Sequence, residues 1–277
     1  MRLLEAAAAA YLRSRQSPAG GFCFYRWRGL DEPNLFDTWH ALAALRLLGA
    51  EVPRAGQTAR FLAQFPAAGA DQLYYLSFSL DLLGRSERLG EERLELIRAL
   101  KPRLPPTAGG PDTTAWLQST RRLLRLKSRF ACISGWEALP AFLDQLRNGA
   151  GYGDGPNLID TCLCLAIGAG LGIAPRDRAA RDFVDSLQMP GCGFALTLDS
   201  RVANLEVLYA GTLCCGMLGL PLRHRADALR FVAACQTARG GFARAPGALA
   251  DIEMTHRALQ VMRAAEQIPA ASPEPRP

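Results

Sequence analysis

Two of the three histidines in the chain follow a carboxylate by three positions. Asp37 precedes His40 in an Asp-x-x-His motif, and Glu253 precedes His256 in a Glu-x-x-His motif. Residues three apart lie on the same face of a helix, so each motif would present a carboxylate and an imidazole together. Such groups can transfer protons or bind a metal ion. These four residues are therefore the predicted catalytic residues.

Aromatic side chains recur in the apolar segments, and basic side chains recur in the turns beside them. Five aromatic residues lie in apolar runs, namely Trp39, Tyr74, Tyr75, Trp116 and Tyr209. If several of them face one cavity, they form an apolar, π-rich wall suited to a hydrocarbon chain or a cation. Packing in the core is the simpler alternative. Four arginines lie in the turn segments and are predicted to bind the anionic head of such a ligand, namely Arg26, Arg28, Arg201 and Arg244.

Six copies of one pattern position these residues. Each copy has an amphipathic helix, a turn that is usually rich in glycine, and a more apolar helix that starts at an acidic residue. The acidic residues are 34 to 48 residues apart, a period of helical-hairpin repeats, and they are Asp37, Asp71, Asp112, Asp160, Glu206 and Glu253. Because carboxylates also cap helix N-termini, a structural role is the simpler interpretation of these six residues.

This pattern predicts an all-α fold, an α/α toroid of six helical hairpins with the apolar helices inside. The toroid is predicted to span residues 1–266, and the proline-rich residues 267–277 to form a disordered tail. In a closed ring the sixth hairpin neighbours the first. Asp37, His40, Glu253 and His256 would then converge as a metal or acid–base site.

The composition argues against several classes of function. The net charge of +6 comes from arginines scattered over every segment, without a nucleic-acid-binding motif. No window is apolar enough for a membrane span, and we expect a cytoplasmic protein. The eight cysteines include no Cys-x-x-Cys pair, and this argues against a structural zinc ribbon.

Two of the glycine turns carry a recognisable motif. Gln16-Ser-Pro-Ala-Gly-Gly-Phe22 and Gln236-Thr-Ala-Arg-Gly-Gly-Phe242 share the pattern Gln-x3-Gly-x-aromatic. This pattern resembles the repeat motif of the prenyltransferase and squalene-cyclase superfamily. The resemblance covers essentially the whole chain and implies the α/α-toroid fold, but by itself it does not imply an activity.

Within that superfamily the sequence is most similar to the β subunits of protein prenyltransferases. Those subunits bind zinc through Asp-x-Cys on one inner helix and a histidine on another, and the metal activates a thiol. The resemblance therefore implies a zinc site formed by Asp160, Cys162 and His256. The sequence departs from the family because a whole repeat separates the two halves of this site. In addition, the family's diphosphate-binding Arg and Lys correspond to Asp154 and Asn157, and its α subunit is not in this chain.

These observations lead us to expect a prenyltransferase-like enzyme that acts on an isoprenoid diphosphate in a central apolar cavity. Zinc is the implied cofactor. The expected partners are an isoprenoid or another apolar small molecule, and a second protein subunit or a peptide. One alternative is a terpene cyclase-like protein, although the Asp-x-Asp-Asp acid motif of cyclases is missing. The other is a non-catalytic toroid that binds a lipid or peptide within a larger complex.

Overall fold

The computed structural model of the chain describes residues 1–27, 30–104, 112–174, 177–200 and 202–269. In these ranges, α-helices alternate between an outer and an inner ring. The outer helices are α1 (Arg2–Ser14), α3 (Ala55–Gln64), α5 (Gly90–Ala99), α7 (Leu139–Gln145), α9 (Arg178–Ser186) and α11 (Arg225–Ala234). The inner helices are α2 (Leu35–Leu47), α4 (Ala70–Leu82), α6 (Thr113–Phe130), α8 (Leu158–Gly170), α10 (Leu205–Leu218) and α12 (Ile252–Gln267). A short 3-10 helix, Ser86–Leu89, leads into α5.

The inner helices form a closed ring. Each one packs against the next inner helix along the chain, and α12 packs against α2. We call this last contact, between the sixth and the first hairpin, the seam. The predicted all-α toroid of six helical hairpins is therefore confirmed.

A glutamine of the repeat motif also closes the outer ring. The side-chain amide of Gln236 donates to the carbonyl oxygens of Gly240 in its own turn, at 2.8 Å, and of Leu4 in α1, at 2.9 Å. Gly240 has a φ of +89°, and a Cβ atom there would lie 2.3 Å from the carbonyl oxygen of Ala7. Glycine is required because the turn runs directly against the backbone of α1.

The inner helices begin at caps that the sequence analysis did not identify. Four of them have an N-cap side chain that accepts a hydrogen bond of 2.6–2.9 Å from the third N–H of the helix, and these caps are Asn34, Asn157, Asn204 and Asp251. The bond satisfies an N–H that has no partner within the helix. Five of the six acidic residues that marked the helix starts lie two or three positions beyond the N-cap, and Asp112 is itself the N-cap of α6.

A buried threonine ties three of the turns to their inner helices. The hydroxyl oxygens of Thr38, Thr161 and Thr255, each four positions after the cap, accept hydrogen bonds from backbone N–H groups in the turns. The donors are Phe22, Tyr152 and Phe242, at 2.9–3.1 Å. Because this bond repeats, the turns and the helix starts are held in the same relation around the ring.

The connecting segments also contain short strands that the sequence pattern did not indicate. Each forms a two-residue antiparallel pair, namely β1 (Arg26–Trp27) with β2 (Leu30–Asp31), β3 (Arg147–Asn148) with β4 (Gly151–Tyr152), β5 (Gln188–Met189) with β6 (Gly193–Phe194), and β7 (Phe242–Ala243) with β8 (Ala250–Asp251). In the described part of the chain these pairs stay separate, and they shape the turns without adding a layer to the fold.

The end of the described chain belongs to the toroid. Helix α12 includes Gln267, Ile268 is buried, and the carbonyl oxygen of Pro269 accepts a hydrogen bond of 3.1 Å from the N–H of Leu222. The rest of the predicted tail, residues 270–277, lies outside the described residues. Within the described ranges, no helix combines the length and the apolar character that crossing a membrane requires.

Candidate active site

The inner ring encloses a cavity of about 810 Å³. Its aromatic wall consists of Phe36, Trp39, Tyr74, Tyr75, Phe78 and Tyr209. The ring centroid of Trp39 lies 5.5 Å from that of Tyr74 and 5.7 Å from that of Tyr75, and Tyr74 lies 4.7 Å from Phe78. Four of the five predicted aromatic residues therefore line one cavity, three of them in a single cluster of tilted rings.

Trp116 is the exception, and its prediction is corrected. Its ring packs against Phe142 of α7 with centroids 5.0 Å apart, and its Nε1 donates to the carbonyl oxygen of Arg103 at 2.6 Å. Helix α6 turns a different face to the cavity, formed by Gln118, Arg121, Arg122 and Arg125. Trp116 lies near the start of α6, where it packs against an outer helix.

One position in the repeat recurs around the cavity. The fifth residue after the N-cap lines the cavity in five of the six inner helices, and we call this set the girdle: Trp39, Tyr74, Cys162, Tyr209 and His256. Helix α6 contributes arginines instead. The girdle brings an indole, two phenols, a thiol and an imidazole to one cavity.

His40 and His256 meet across the seam. Their Nδ1 atoms are 3.0 Å apart, so one imidazole donates its Nδ1–H to the Nδ1 of the other. Both side chains are buried. Burial lowers the pKa of His40 and lowers that of His256 to about 3, and nearby Arg257 lowers both pKa values further. The pair is therefore neutral at pH 7 and offers a base rather than a cation.

The two carboxylates predicted to accompany these histidines have other partners. Asp37 accepts hydrogen bonds from the backbone N–H of Phe24, at 2.8 Å, and from the side-chain amide of Asn34, at 2.7 Å. Glu253 lines the cavity and forms an ion pair of 2.6 Å with Arg257. Ring closure brings the imidazoles together as predicted, whereas Asp37 supports the start of α2 and Glu253 neutralises an arginine.

The predicted zinc ligands are Asp160, Cys162 and His256. Asp160 accepts hydrogen bonds from the hydroxyl of Thr114, at 2.6 Å, and from the amide of Asn157, at 2.8 Å. Cys162 lines the cavity, and a hydrogen bond from the Cys214 thiol lowers its pKa. Among the residues that the structure describes, no three His, Cys, Asp or Glu side chains are grouped as a metal site would require. In this arrangement the three residues do not fit a zinc ion, and zinc binding stays a prediction.

A row of arginines on α6 was not among the residues predicted from the sequence. Arg122 forms two hydrogen bonds with the carboxylate of Asp71, both of 2.8 Å. Arg125 donates to the hydroxyl of Tyr74 at 2.8 Å, and Tyr209 helps to raise the pKa of Arg121 against the effect of burial. The signal was the run Arg-Arg-x-x-Arg in the middle of α6, at a place where the other inner helices are mostly apolar.

These arginines give the cavity an excess of positive charge. Six arginines line it, against three carboxylates. Of the four arginines predicted to bind an anion at the turns, Arg244 lines the cavity and pairs with Glu206 at 3.1 Å. The side chain of Arg26 and the whole of Arg28 and Arg201 lie outside the described part of the chain.

Two comparisons with known proteins bear on this site. A family model described as the prenyltransferase alpha-alpha toroid domain matches residues 3–70 and 68–273, which is nearly the whole chain. A search of curated proteins finds no match.

Proposed function

The chain belongs to the prenyltransferase α/α-toroid family, and from this premise we propose that it is a prenyltransferase-like enzyme that acts on an isoprenoid diphosphate. The observation that carries the proposal is a neutral histidine pair in the wall of an aromatic-lined cavity. The aromatic rings of Trp39 and Tyr75 offer apolar surface to a hydrocarbon chain. The excess of arginines balances the charge of a diphosphate.

The histidine pair is suited to removing a proton from an allylic cation. Such a cation forms when the carbon–oxygen bond to the diphosphate breaks, and it loses a proton readily even to a weak base. A pKa of about 3 makes His256 too weak a base to deprotonate an ordinary thiol, whose pKa is about 8.5. A base of this strength is sufficient to remove a proton from a carbocation. The cation then becomes an alkene, either directly or after it has formed a new bond.

Trp39 stabilises the same cation. Its ring centroid lies 4.6 Å from that of His40 and 5.3 Å from that of His256. An indole face attracts a nearby positive charge. A cation held against this ring therefore lies beside the base that removes its proton. This holds whether the isoprenoid is transferred to an acceptor, cyclised or converted to an alkene by elimination.

The test is turnover by the purified full chain. Farnesyl and geranylgeranyl diphosphate are incubated with the protein, with and without a chelator, and mass spectrometry follows the products. We expect wild type to consume at least one of these diphosphates, and His256→Asn to be slower by a factor of about 100 or more while its circular dichroism is unchanged. Asparagine retains a hydrogen-bonding group near the position of Nδ1. His224→Asn is the matched control because His224 lies outside the cavity lining.

The results separate the competing functions. If wild type binds a diphosphate tightly without turnover, the enzymatic proposal is refuted and the chain is a binding toroid. If His256→Asn turns over as fast as wild type, the histidine pair is not the base. A loss of turnover with the chelator, together with zinc in the purified protein, would confirm the metal prediction.

A further inference from the structure

Three of the six cavity-lining arginines form no ion pair with a carboxylate in the described part of the chain, and two of these three lie side by side on α6. In the described part of the chain, Arg122 is neutralised by Asp71, Arg257 by Glu206 and Glu253, and Arg244 by Glu206. The cavity-lining arginines without an ion pair in this part of the chain are Arg46, Arg121 and Arg125. Arg46 lies in the last turn of α2, where a cation complements the helix dipole. Arg121 and Arg125 lie in the interior of α6 and have no such explanation.

Arg121 and Arg125 form one surface. They are four residues apart, so they lie on the same face of α6 with Cβ atoms about 5–6 Å apart. Each lies beside a tyrosine from another inner helix: Arg125 donates to the hydroxyl of Tyr74 of α4 at 2.8 Å, and Tyr209 of α10 helps to raise the pKa of Arg121 against the effect of burial. A phenol occupies one of the five N–H donors of a guanidinium and does not neutralise its charge. Helix α10 is two positions from α6 in the ring, so Arg121 reaches across the cavity.

Two cations without a carboxylate partner on one helix face are unfavourable for the empty protein, although the guanidinium of Arg125 lies over the Phe78 ring at 5.3 Å. Like charges repel each other, and taking a guanidinium out of water adds to the cost. Residues that cost stability in the empty protein are expected at binding sites. The ligand that would offset the cost carries at least two negative charges close together.

We propose that Arg121 and Arg125 are the binding site for the diphosphate group, with one guanidinium on each phosphate. Guanidinium groups bind phosphate oxygens through paired, charge-assisted hydrogen bonds. The site lies on the third inner helix, whereas Asp154 and Asn157 occupy the positions that the resemblance to β subunits pointed to. The assignment of an isoprenoid to the other half of the ligand rests on the proposed function, whereas the anion-binding site does not depend on it.

Binding measurements on the purified full chain test this site. Inorganic diphosphate, farnesyl diphosphate and farnesol are titrated by calorimetry into wild type, Arg121→Met, Arg125→Met and Arg129→Met. The last is the matched control because Arg129 is on the same helix, is paired with Asp81 at 2.8 Å and does not line the cavity. We expect each of the first two substitutions to weaken farnesyl diphosphate binding by about tenfold or more, and Arg129→Met to change it by less than about twofold. Binding of farnesol should be unchanged in all three variants.

Two further measurements separate lost binding from lost structure. Without ligand, Arg121→Met should keep the circular dichroism spectrum of wild type, so that weaker binding cannot be attributed to unfolding. Arg121→Lys keeps the charge but loses the planar fork, so it should fold and still bind more weakly than wild type. A full-affinity Arg121→Lys would contradict the paired geometry.

The outcomes also distinguish this inference from the proposed function. If inorganic diphosphate binds wild type and farnesyl diphosphate binds no better, the anion site stands and the isoprenoid ligand is wrong. If farnesyl diphosphate binds equally well to wild type, Arg121→Met and Arg125→Met, the anion site is wrong and the proposed function survives. Failure of wild type to bind either anion overturns the site.

Discussion

Replacing His256 with asparagine should remove part of the acid sensitivity of the fold. Burial lowers the pKa of this imidazole from 6.5 to about 3. Between these two values the unfolded chain binds a proton that the folded chain does not, so stability is lost as the pH falls. From pH 6.5, where half of the unfolded imidazole is already protonated, to about pH 4.5 the loss is about 2 kcal/mol of unfolding free energy. His256→Asn has no titrating group at this position and should not lose that amount.

Urea denaturation at the two pH values, followed by circular dichroism, measures this difference. Wild type should lose about 2 kcal/mol more than His256→Asn between pH 6.5 and about pH 4.5. Asparagine can preserve the hydrogen bond to Nδ1 of His40, and His224→Asn controls for the loss of a histidine elsewhere. Equal losses in wild type and His256→Asn would show that the folded protein does not hold His256 neutral. The proposed role of the pair as a base would then lose its physical foundation.

Three further substitutions test the architecture of the repeat. Burial raises the pKa of Asp251 to about 6, so its ionisation destabilises the fold as the pH rises through about 4 to 6; Asp251→Asn keeps the cap and should melt higher than wild type at pH 8 but not at pH 4. Gly240→Ala should cost about 3 kcal/mol in chemical denaturation because its Cβ meets the α1 backbone, whereas Gly216→Ala, with open space around it in α10, should be neutral or stabilising. Thr255→Val should cost about 1–3 kcal/mol by leaving a buried N–H of Phe242 unpaired, and Thr255→Ser, which keeps the hydroxyl, should cost less.

The repeat could be predicted from the sequence because its signals are local. The spacing of the acidic residues gave six hairpins, and the apolar character of the second helix in each hairpin assigned it to the inner ring. The caps were missed because asparagine is also a common turn residue, and the acidic residue two or three positions later carries the stronger charge signal. The short strand pairs were missed because two residues are too few to show an alternating pattern.

The site was predicted less completely than the fold because it depends on helix rotation. Ring closure was enough to bring His40 to His256, since both lie one turn into helices that meet at the seam. Trp116 was misplaced because α6 turns Arg121 and Arg125 inward and its aromatic residue outward. Hydrophobicity argues for the opposite orientation. A rule that apolar faces point inward fails for α6, and the charged ligand that we propose for the cavity gives a reason.

Comparison among the repeats themselves separates structural from functional residues. The fourth residue after the cap is a buried threonine in three hairpins, and each time it makes the same bond to its turn, as Thr38 does. The fifth residue is tryptophan, tyrosine, cysteine, tyrosine or histidine, and each of these lines the cavity. A structural role that recurs in several hairpins keeps the residue type constant in those hairpins, whereas a single asymmetric ligand would contact each hairpin differently. Divergence at the fifth position, and the arginines that line the cavity from α6, are therefore consistent with the single asymmetric ligand that we propose.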